Sequence, residues 1–250
     1  SFDSAGNPGY FVVNGRAPQA GAPFADPCPD QFIDGNGLNR PVGTRTYKAA
    51  YIQFDMTINE LGWHDRQARI AVLNEDVMPT LNGTRAPEPL FFRANSGECI
   101  VFESTNLLPN NLNLDDFQIY TPTDIIGQHI HLVKFDVTSS DGSANGWNYE
   151  DGTFSPEEVR ERIHANNVWQ ITNNGGQQLL TEEAHPVFGP GPNDEWMGAQ
   201  TTVQRWWADP LVNNQGQDRT IRSVFTHDHF GPSSHQQHGL YAVLVVEPTD

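Results

Sequence analysis

The chain has 250 residues, of which 14 are Lys or Arg and 31 are Asp or Glu, so its formal net charge is -17. So acidic a chain lacks the basic surface that binds nucleic acid or anionic lipid. No apolar run approaches the ~18–20 residues that a membrane-spanning helix needs. We therefore expect no nucleic-acid partner and no membrane span, and a length that suits one large domain with or without a flanking segment.

The first part of the chain combines loops with a hairpin. Residues 1–46 are rich in Gly, Pro, Asn and Asp, which favours an irregular segment. Strand-like residues run from Tyr47 to Ile58, and after a turn residues 69–73 return as a second strand. A Pro-, Gly- and Asn-rich stretch over 78–89 follows.

This stretch predicts a boundary between an N-terminal segment with a hairpin, residues 1–88, and a main domain, residues 89–250. The main domain is dense in strand signals. Its predicted strands cover residues 90–94, 98–105, 125–137, 201–207, 220–226 and 239–247. The last contains Leu240–Val246, which is apolar almost throughout and predicts a buried central strand.

A long insertion, about 139–200, interrupts these strands. Most of it favours loop, but Ser155 followed by Pro156 and Glu158 is typical of a helix N-terminus, and the helix should run to about residue 166. Many short strands with one inserted helix predict an all-β fold, either a sandwich or a barrel. We favour a Greek-key β-sandwich with a long loop and helix insertion.

Cys28 and Cys99 are the only cysteines, and neither has a histidine or a second cysteine close to it in sequence. The simplest interpretation is one disulfide between them, and the alternative is two free buried thiols. The chain begins at Ser1 without Met or a signal peptide, which suits a mature exported protein or a piece of a longer one. With a disulfide, these features favour a secreted protein, periplasmic or extracellular.

Four of the 9 histidines form two His-x-His segments, His129-Ile130-His131 and His227-Asp228-His229. The two-residue period of a strand places both imidazoles of a segment on one face. If the two strands are neighbours, four imidazoles converge, and imidazole suits Cu, Zn, Fe and Ni. The alternative is that one pair is a coincidence of surface histidines.

The second segment begins a longer pattern. His227-Asp228-His229 is followed by Gly239-Leu240-Tyr241 and, after an apolar strand, by Glu247-Pro248. This order resembles the second copper motif of the multicopper oxidases. Gly127-Gln128-His129-Ile130-His131-Leu132 likewise resembles the first His-x-His motif of that family.

Residues 124–142 resemble more specifically the very large, metal-oxidising multicopper oxidases. The resemblance covers roughly residues 47–250 and is strongest over 123–154 and 219–248. It implies a cupredoxin-like domain that contributes half of a trinuclear copper site.

In that family the trinuclear site reduces dioxygen to water. Carried over, His129 would bind the type 2 copper, and His131, His227 and His229 would bind the type 3 pair. A complete site takes twice as many histidines, from two domains, and this chain has no His-Cys-His segment for a type 1 copper. The resemblance therefore implies a copper-dependent oxidoreductase that uses dioxygen as acceptor and oxidises a metal ion or a phenolic substrate. Its partner would be a second cupredoxin domain or subunit.

Four further residues are candidates for the site. His235 and His238 follow the second pair and could reach the metal, although surface loop histidines are the simpler interpretation. Asp141 and Asp151 precede glycines, and the resemblance implies that an aspartate so placed helps to deliver protons. Turn-forming Asp-Gly pairs are the stronger explanation of these two residues.

Two other functions remain open. One is a non-redox or mononuclear metalloprotein, such as a cupin-like barrel, and the other is a copper-sequestering domain without turnover. A cupin would have a Glu a few residues after its first His-x-His, and residues 133–136, Val-Lys-Phe-Asp, supply none.

Overall fold

The computed structural model describes residues 26–109, 125–142, 152–173, 184–185, 188–190, 200–231 and 235–249. The strands in chain order are β1 (Gln31–Ile33), β2 (Asn39–Pro41), β3 (Thr44–Thr57), β4 (His64–Leu73), β5 (Phe91–Asn95), β6 (Cys99–Asn106), β7 (Ile125–Ile126), β8 (Gln128–Ile130), β9 (Thr153–Phe154), β10 (Thr201–Trp207), β11 (Arg222–Asp228) and β12 (Tyr241–Glu247). The helices are α1 (Val77–Leu81), α2 (Val137–Ser140) and α3 (Pro156–Asn173). Single 3-10 turns cover Asn74–Asp76 and Gln236–His238.

Two four-stranded sheets dominate the described residues. The first has the order β10-β6-β3-β4 and the second has the order β5-β12-β11-β8. The chain passes repeatedly between them, from β4 to β5, from β5 to β6 and from β10 to β11. The predicted all-β, Greek-key sandwich is confirmed.

The hydrophobic core lies between the two sheets. Phe102 and Trp206 on the first sheet meet Phe92 on the second, with ring centroids 5.0 Å apart for Phe92–Phe102 and 5.5 Å apart for Phe92–Trp206. Leu244 and Ile130 of the second sheet are fully buried in the same cluster. Large apolar side chains from both inner faces therefore hold the sheets together.

The predicted hairpin is present, because β3 and β4 pair in antiparallel register. β3 also pairs in parallel with β6, so strands on both sides of residues 88–89 share one sheet. The predicted division between residues 1–88 and 89–250 therefore runs through this sheet. Residues 26–46, expected to be irregular, contain the short pair β1–β2 and the start of β3.

Most predicted strands of the main domain are confirmed to within two residues. The exception is the strand over 125–137, which is wrong: β7 and β8 end at Ile130, and residue Leu132 has a φ of 61°. A left-handed residue cannot continue a strand, so the chain turns here and enters α2. Leu240–Val246 lies centrally between β5 and β11, but its burial alternates rather than being complete.

The predicted helix is confirmed and is longer than expected, since α3 continues to Asn173. Its N-terminus is capped as predicted, because Ser155 Oγ accepts a hydrogen bond from the Glu158 N–H at 3.1 Å. The insertion also supplies β9, which pairs with β7 beside the first His-x-His segment. Among the helices that the structure describes, none combines the length and the apolar composition needed to cross a membrane.

The predicted disulfide is confirmed: Cys28 is bonded to Cys99, across a sequence separation of 71 residues. It ties the segment before β1 to the first strand position of β6. Closing so long a loop restricts the unfolded chain, which stabilises the folded state by about 4 kcal/mol in the chain-entropy model.

The free energy of unfolding of a Cys28→Ser/Cys99→Ser variant should therefore be about 2–4 kcal/mol lower than that of the wild type. The measurement is urea denaturation of the variant beside the non-reduced wild type. Alkylation of the denatured, non-reduced wild type should label neither cysteine. Equal stability of the two proteins would contradict the expected contribution of the disulfide.

Candidate metal centre

The two His-x-His segments lie side by side on the second sheet. His227 of β11 is directly opposite His129 of β8 in antiparallel register. Their inward neighbours, Ile130, Thr226 and Asp228, are buried in the sandwich. Because side chains alternate along a strand, the histidines project from the outer face of the same sheet.

The four imidazoles form a compact cluster. The ring centroids of His129 and His229 are 4.3 Å apart, and those of His129 and His131 are 5.1 Å apart. His227 lies 5.2 Å from His131 and 5.9 Å from His229. The convergence that the sequence predicted is therefore present, although His131 lies just beyond the end of β8.

Three of the four rings are oriented by hydrogen bonds at Nδ1. His129 Nδ1 is 2.8 Å from the Asp141 carbonyl oxygen, and His227 Nδ1 is 2.7 Å from the Asp228 carbonyl oxygen. His229 Nδ1 lies 3.1 Å from the same Asp141 carbonyl. A carbonyl oxygen can only accept, so Nδ1 carries a proton in each ring, and in the neutral imidazole Nε2 then has the lone pair. This tautomer leaves Nε2 as the atom that could bind a metal.

His131 and His227 bring their Nε2 atoms to 3.1 Å from each other. Two nitrogens at this separation subtend roughly 100° at an ion bonded to both at about 2.0–2.1 Å. This angle is compatible with adjacent ligands of one transition-metal ion. The donor set and its spacing therefore fit a histidine-bound metal.

The described residues contain two overlapping groups of three donors whose atoms lie within 4.8 Å of one another. One group is His129, His131 and His227, and the other is His129, Asp141 and His229. Asp141 Oδ2 is 3.0 Å from His229 Nδ1, and Asp141 Oδ1 is 3.4 Å from His129 Nδ1. Of the two predicted aspartates, Asp141 lies at the cluster and Asp151 lies outside the described residues.

A close contact between two glycines places Asp141 there. A Cβ atom on Gly127 would lie 1.6 Å from the Gly142 carbonyl oxygen, so only glycine permits this approach. Gly142 also has a φ of 83°, in the left-handed region that favours glycine. The turn that contains Asp141 thereby reaches the imidazoles of His129 and His229.

A buried polar chain supports the cluster from inside the sandwich. Thr226 Oγ1 donates to the His129 carbonyl oxygen at 2.6 Å and accepts from Gln128 Nε2 at 2.5 Å. Gln128 Oε1 in turn accepts from the Tyr51 hydroxyl at 3.1 Å. Burial raises the pKa of Tyr51 well above its usual value, so the hydroxyl stays protonated and remains a donor. Each member is satisfied, which fixes the backbone of the first segment.

Burial lowers the pKa of His129, and it also lowers the pKa of His131. Neighbouring imidazoles add to this, because the His229 charge disfavours protonated His129 and the His227 charge disfavours protonated His131. Both rings are thus kept in the neutral form, which is the form that binds metals.

These shifts predict a pH dependence for the metal-free protein. As the pH falls through the ordinary imidazole pKa of about 6.5, the unfolded chain takes up protons that the folded chain does not, so folding stability falls. A His129→Asn/His131→Asn variant lacks these two groups. The stability of wild type relative to this variant should decrease between about pH 7 and pH 5.5, as measured by urea denaturation with chelator present. A constant difference across this range would rule out the lowered pKa values.

The structure places His235 and His238 away from the cluster. His235 is fully buried, and its Nδ1 is 2.8 Å from Asp228 Oδ2. His238 Nδ1 is 2.6 Å from Asp65 Oδ2, on β4 of the first sheet. Both histidines contact carboxylates inside the fold, whereas the sequence left open that they reach the metal.

Two residues at the site were missed in the sequence. Asp228 is fully buried beneath the histidines, and Gln236 Nε2 lies 3.0 Å from His227 Nδ1. The central position of a His-x-His strand points opposite to the histidines, so an aspartate there predicts a buried carboxylate that needs partners. That signal was available for Asp228 but not for Gln236, whose position depends on the turn.

No protein-family model matches the chain, and no curated protein matches it either. Similar solved structures include a copper nitrite reductase from Nitrosomonas europaea, with 12% identity and a TM-score of 0.41, covering 83% of this chain and 42% of that chain. A multi-copper oxidase from Pseudomonas thermotolerans has 14% identity and a TM-score of 0.42, covering 84% of this chain and 31% of that chain. Another multicopper oxidase has 16% identity and a TM-score of 0.38, covering 87% and 46%. The chain thus spans less than half the length of each of these chains.

Proposed function

We propose that this chain is a copper-binding domain of an oxidase, in which His129, His131, His227 and His229 form half of a trinuclear copper site. The observation that supports this most is the orientation of the four imidazoles on one sheet face. Three of them are held by hydrogen bonds at Nδ1, and the remaining ring, His131, brings its Nε2 to 3.1 Å from that of His227.

The donor chemistry favours copper. Every candidate nitrogen is an imidazole, and both cysteines are in the disulfide, so no thiolate is available. Neutral imidazoles suit Cu, Zn, Fe and Ni, and among divalent first-row metals Cu²⁺ binds most tightly to a given site. Bound copper would supply one-electron redox chemistry towards dioxygen. By the resemblance described above, His129 would hold the type 2 ion and the other three histidines the type 3 pair.

The remaining residues of the site act on the histidines and on protons. The carbonyl oxygens of Asp141 and Asp228 hold the rings of His129, His227 and His229 in one tautomer. Burial lowers the pKa of His129, which favours its neutral form. The Asp141 carboxylate lies beside His129 and His229, where it could pass protons to the site. His131 and His229 are exposed, so the cluster is open on one side. A second cupredoxin domain or subunit would close that side with further ligands.

The reducing substrate would be a metal ion or a phenol, with dioxygen as the acceptor. The disulfide fits an oxidising compartment, which is the periplasm or the exterior of the cell.

The test is copper binding by the purified chain. A His129→Ala/His229→Ala variant should lose stoichiometric copper, because both groups of three donors contain His129 and one also contains His229. A His64→Ala/His164→Ala variant, which removes two exposed histidines elsewhere, is the matched control. Copper is measured by elemental analysis after dialysis, and circular dichroism checks the fold. Undiminished copper in the first variant would overturn the proposal.

One observation favours a mononuclear alternative. His129, Asp141 and His229 are a set of two imidazoles and one carboxylate, which is a donor set that single-iron sites also use. Because the carboxylate faces Nδ1 of both rings, an ion beside it would be bound through Nδ1, in the opposite tautomer of the two imidazoles. A single ion bound there, with no affinity for copper at His131 and His227, would support that function. Metal content above one copper per chain, partly silent in electron paramagnetic resonance, would support the trinuclear one.

A further inference from the structure

A buried carboxylate lies between the two ligands of the second segment. Asp228 has no exposed surface, and its Oδ1 accepts from the Gly127 N–H at 3.0 Å. Its Oδ2 accepts from the Phe230 N–H at 3.1 Å, from the Gly231 N–H at 2.8 Å and from His235 Nδ1 at 2.8 Å. Four donors from three stretches of chain therefore converge on one side chain.

These contacts join the two His-x-His segments. Gly127 lies two residues before His129, and Asp228 stands between His227 and His229. The His229 N–H also donates to the Gly127 carbonyl oxygen at 2.7 Å. Gly127, which precedes the first segment, is thus hydrogen-bonded to both Asp228 and His229 of the second segment.

His235 brings the following turn into the same arrangement. Its ring is fully buried and packs on Gly231, where a Cβ would lie 3.0 Å from the ring Nδ1. The next residue, Gln236, donates from Nε2 to the Asp228 carbonyl oxygen at 2.7 Å and lies 3.0 Å from His227 Nδ1. A shift of the His235 turn would therefore displace Gln236 and alter its contacts at Asp228 and at His227, a proposed copper ligand.

From these contacts we infer that Asp228 and His235 are positioning residues that fix the spacing of the two His-x-His segments and thereby set the affinity and geometry of copper binding. The inference rests on the proposed function. Buried carboxylates are a weak source of net stability, because removing the charge from water offsets much of what the hydrogen bonds contribute. Partners that orient metal ligands, in contrast, commonly change metal affinity 10- to 100-fold.

The chain offers a matched control in the same turn. His238 also donates from Nδ1 to an aspartate, Asp65, at 2.6 Å, but this pair connects the turn to β4 and does not contact the histidine cluster. Replacing His235 or His238 with Leu removes a comparable His–Asp hydrogen bond in each case. Only His235→Leu removes a hydrogen bond of Asp228; His238→Leu removes one of Asp65.

The experiment loads the full chain with Cu²⁺ and measures affinity by competition titration and copper hyperfine splitting by electron paramagnetic resonance. His235→Leu should lower the affinity roughly 10- to 100-fold and change the hyperfine splitting. His235→Asn should stay close to wild type, since its amide nitrogen occupies the place of Nδ1 and can donate to Asp228. His238→Leu should lower the melting temperature without moving either copper measurement.

The partly buried Gln236 provides a second variant if His235→Leu fails to fold. Gln236→Leu should lower copper affinity and alter the hyperfine splitting, because it removes the hydrogen bond from the turn to the Asp228 carbonyl oxygen, the acceptor that orients His227. Equal effects of His235→Leu and His238→Leu on copper binding would overturn the inference, as would a Gln236→Leu variant that binds like wild type. A wild-type chain that binds no copper would instead remove the proposed function itself.

Discussion

Replacing Gly127 with Ala should lower copper affinity roughly 100-fold, at the upper end of what misplacing metal ligands costs. The added Cβ would lie 1.6 Å from the Gly142 carbonyl oxygen, and neither partner is a flexible side chain that could move aside. The corner before His129 would have to separate from the Asp141 turn. His129 and His229 would then lose the carbonyl oxygen that orients both rings.

Gly43→Ala is the matched control for this prediction. A Cβ at Gly43 comes no closer than 3.4 Å, to the Glu98 side chain, which is an ordinary contact. Competition titration with Cu²⁺ and thermal unfolding should be measured for both variants. We expect Gly127→Ala to lose stability as well as copper affinity, and Gly43→Ala to change neither appreciably. Wild-type copper binding by Gly127→Ala would show that the glycine contact does not position the site.

The chain alone should show negligible oxidase turnover even when it is loaded with copper. It contributes only the four clustered imidazoles, and the disulfide leaves it no cysteine for a type 1 copper. Imidazoles from one sheet face surround an ion on one side only, while each metal–nitrogen bond must be about 2.0–2.1 Å long. On the proposed function, the ligands on the other side come from a second domain or subunit.

The measurement is oxygen consumption with a phenol or a reduced metal ion, on protein shown by light scattering to be monomeric. Copper-free chain and the His129→Ala/His229→Ala variant are the controls. Turnover at the level of these controls is the expected result. Copper-dependent oxygen uptake by a verified monomer would show that one chain completes the site without a partner.

The sequence was sufficient to predict the sandwich and the pairing of imidazoles within each His-x-His segment, because both follow from local periodicity. The adjacency of the two segments is a pairing of distant strands, which local periodicity does not encode. A nearly unbroken apolar run marks β12, and the two-residue period of His-x-His places the paired imidazoles on one face. The same periodicity could not predict the break after Ile130. That break depends on the left-handed residue Leu132, which has no glycine or proline signal.

The parts of the site that the sequence did not predict are contacts between distant segments. Asp141 reaches His229 only because two glycine backbones meet, and His235 is turned inward by a carboxylate seven positions before it. The sequence also did not predict that α3 continues beyond residue 166, because these residues lack the apolar periodicity that marks an amphipathic helix. Tertiary packing decides such features, and a single sequence does not encode them locally.

Anomalous diffraction at the copper edge, from crystals of the full chain soaked with Cu²⁺, shows directly whether the four clustered imidazoles bind copper. We expect copper peaks at the four-histidine cluster, one of them within bonding distance of Nε2 of His131 and His227 and another beside His129. Peaks confined to other surface histidines, such as His64 or His164, or the absence of copper from the four-histidine cluster, would contradict it.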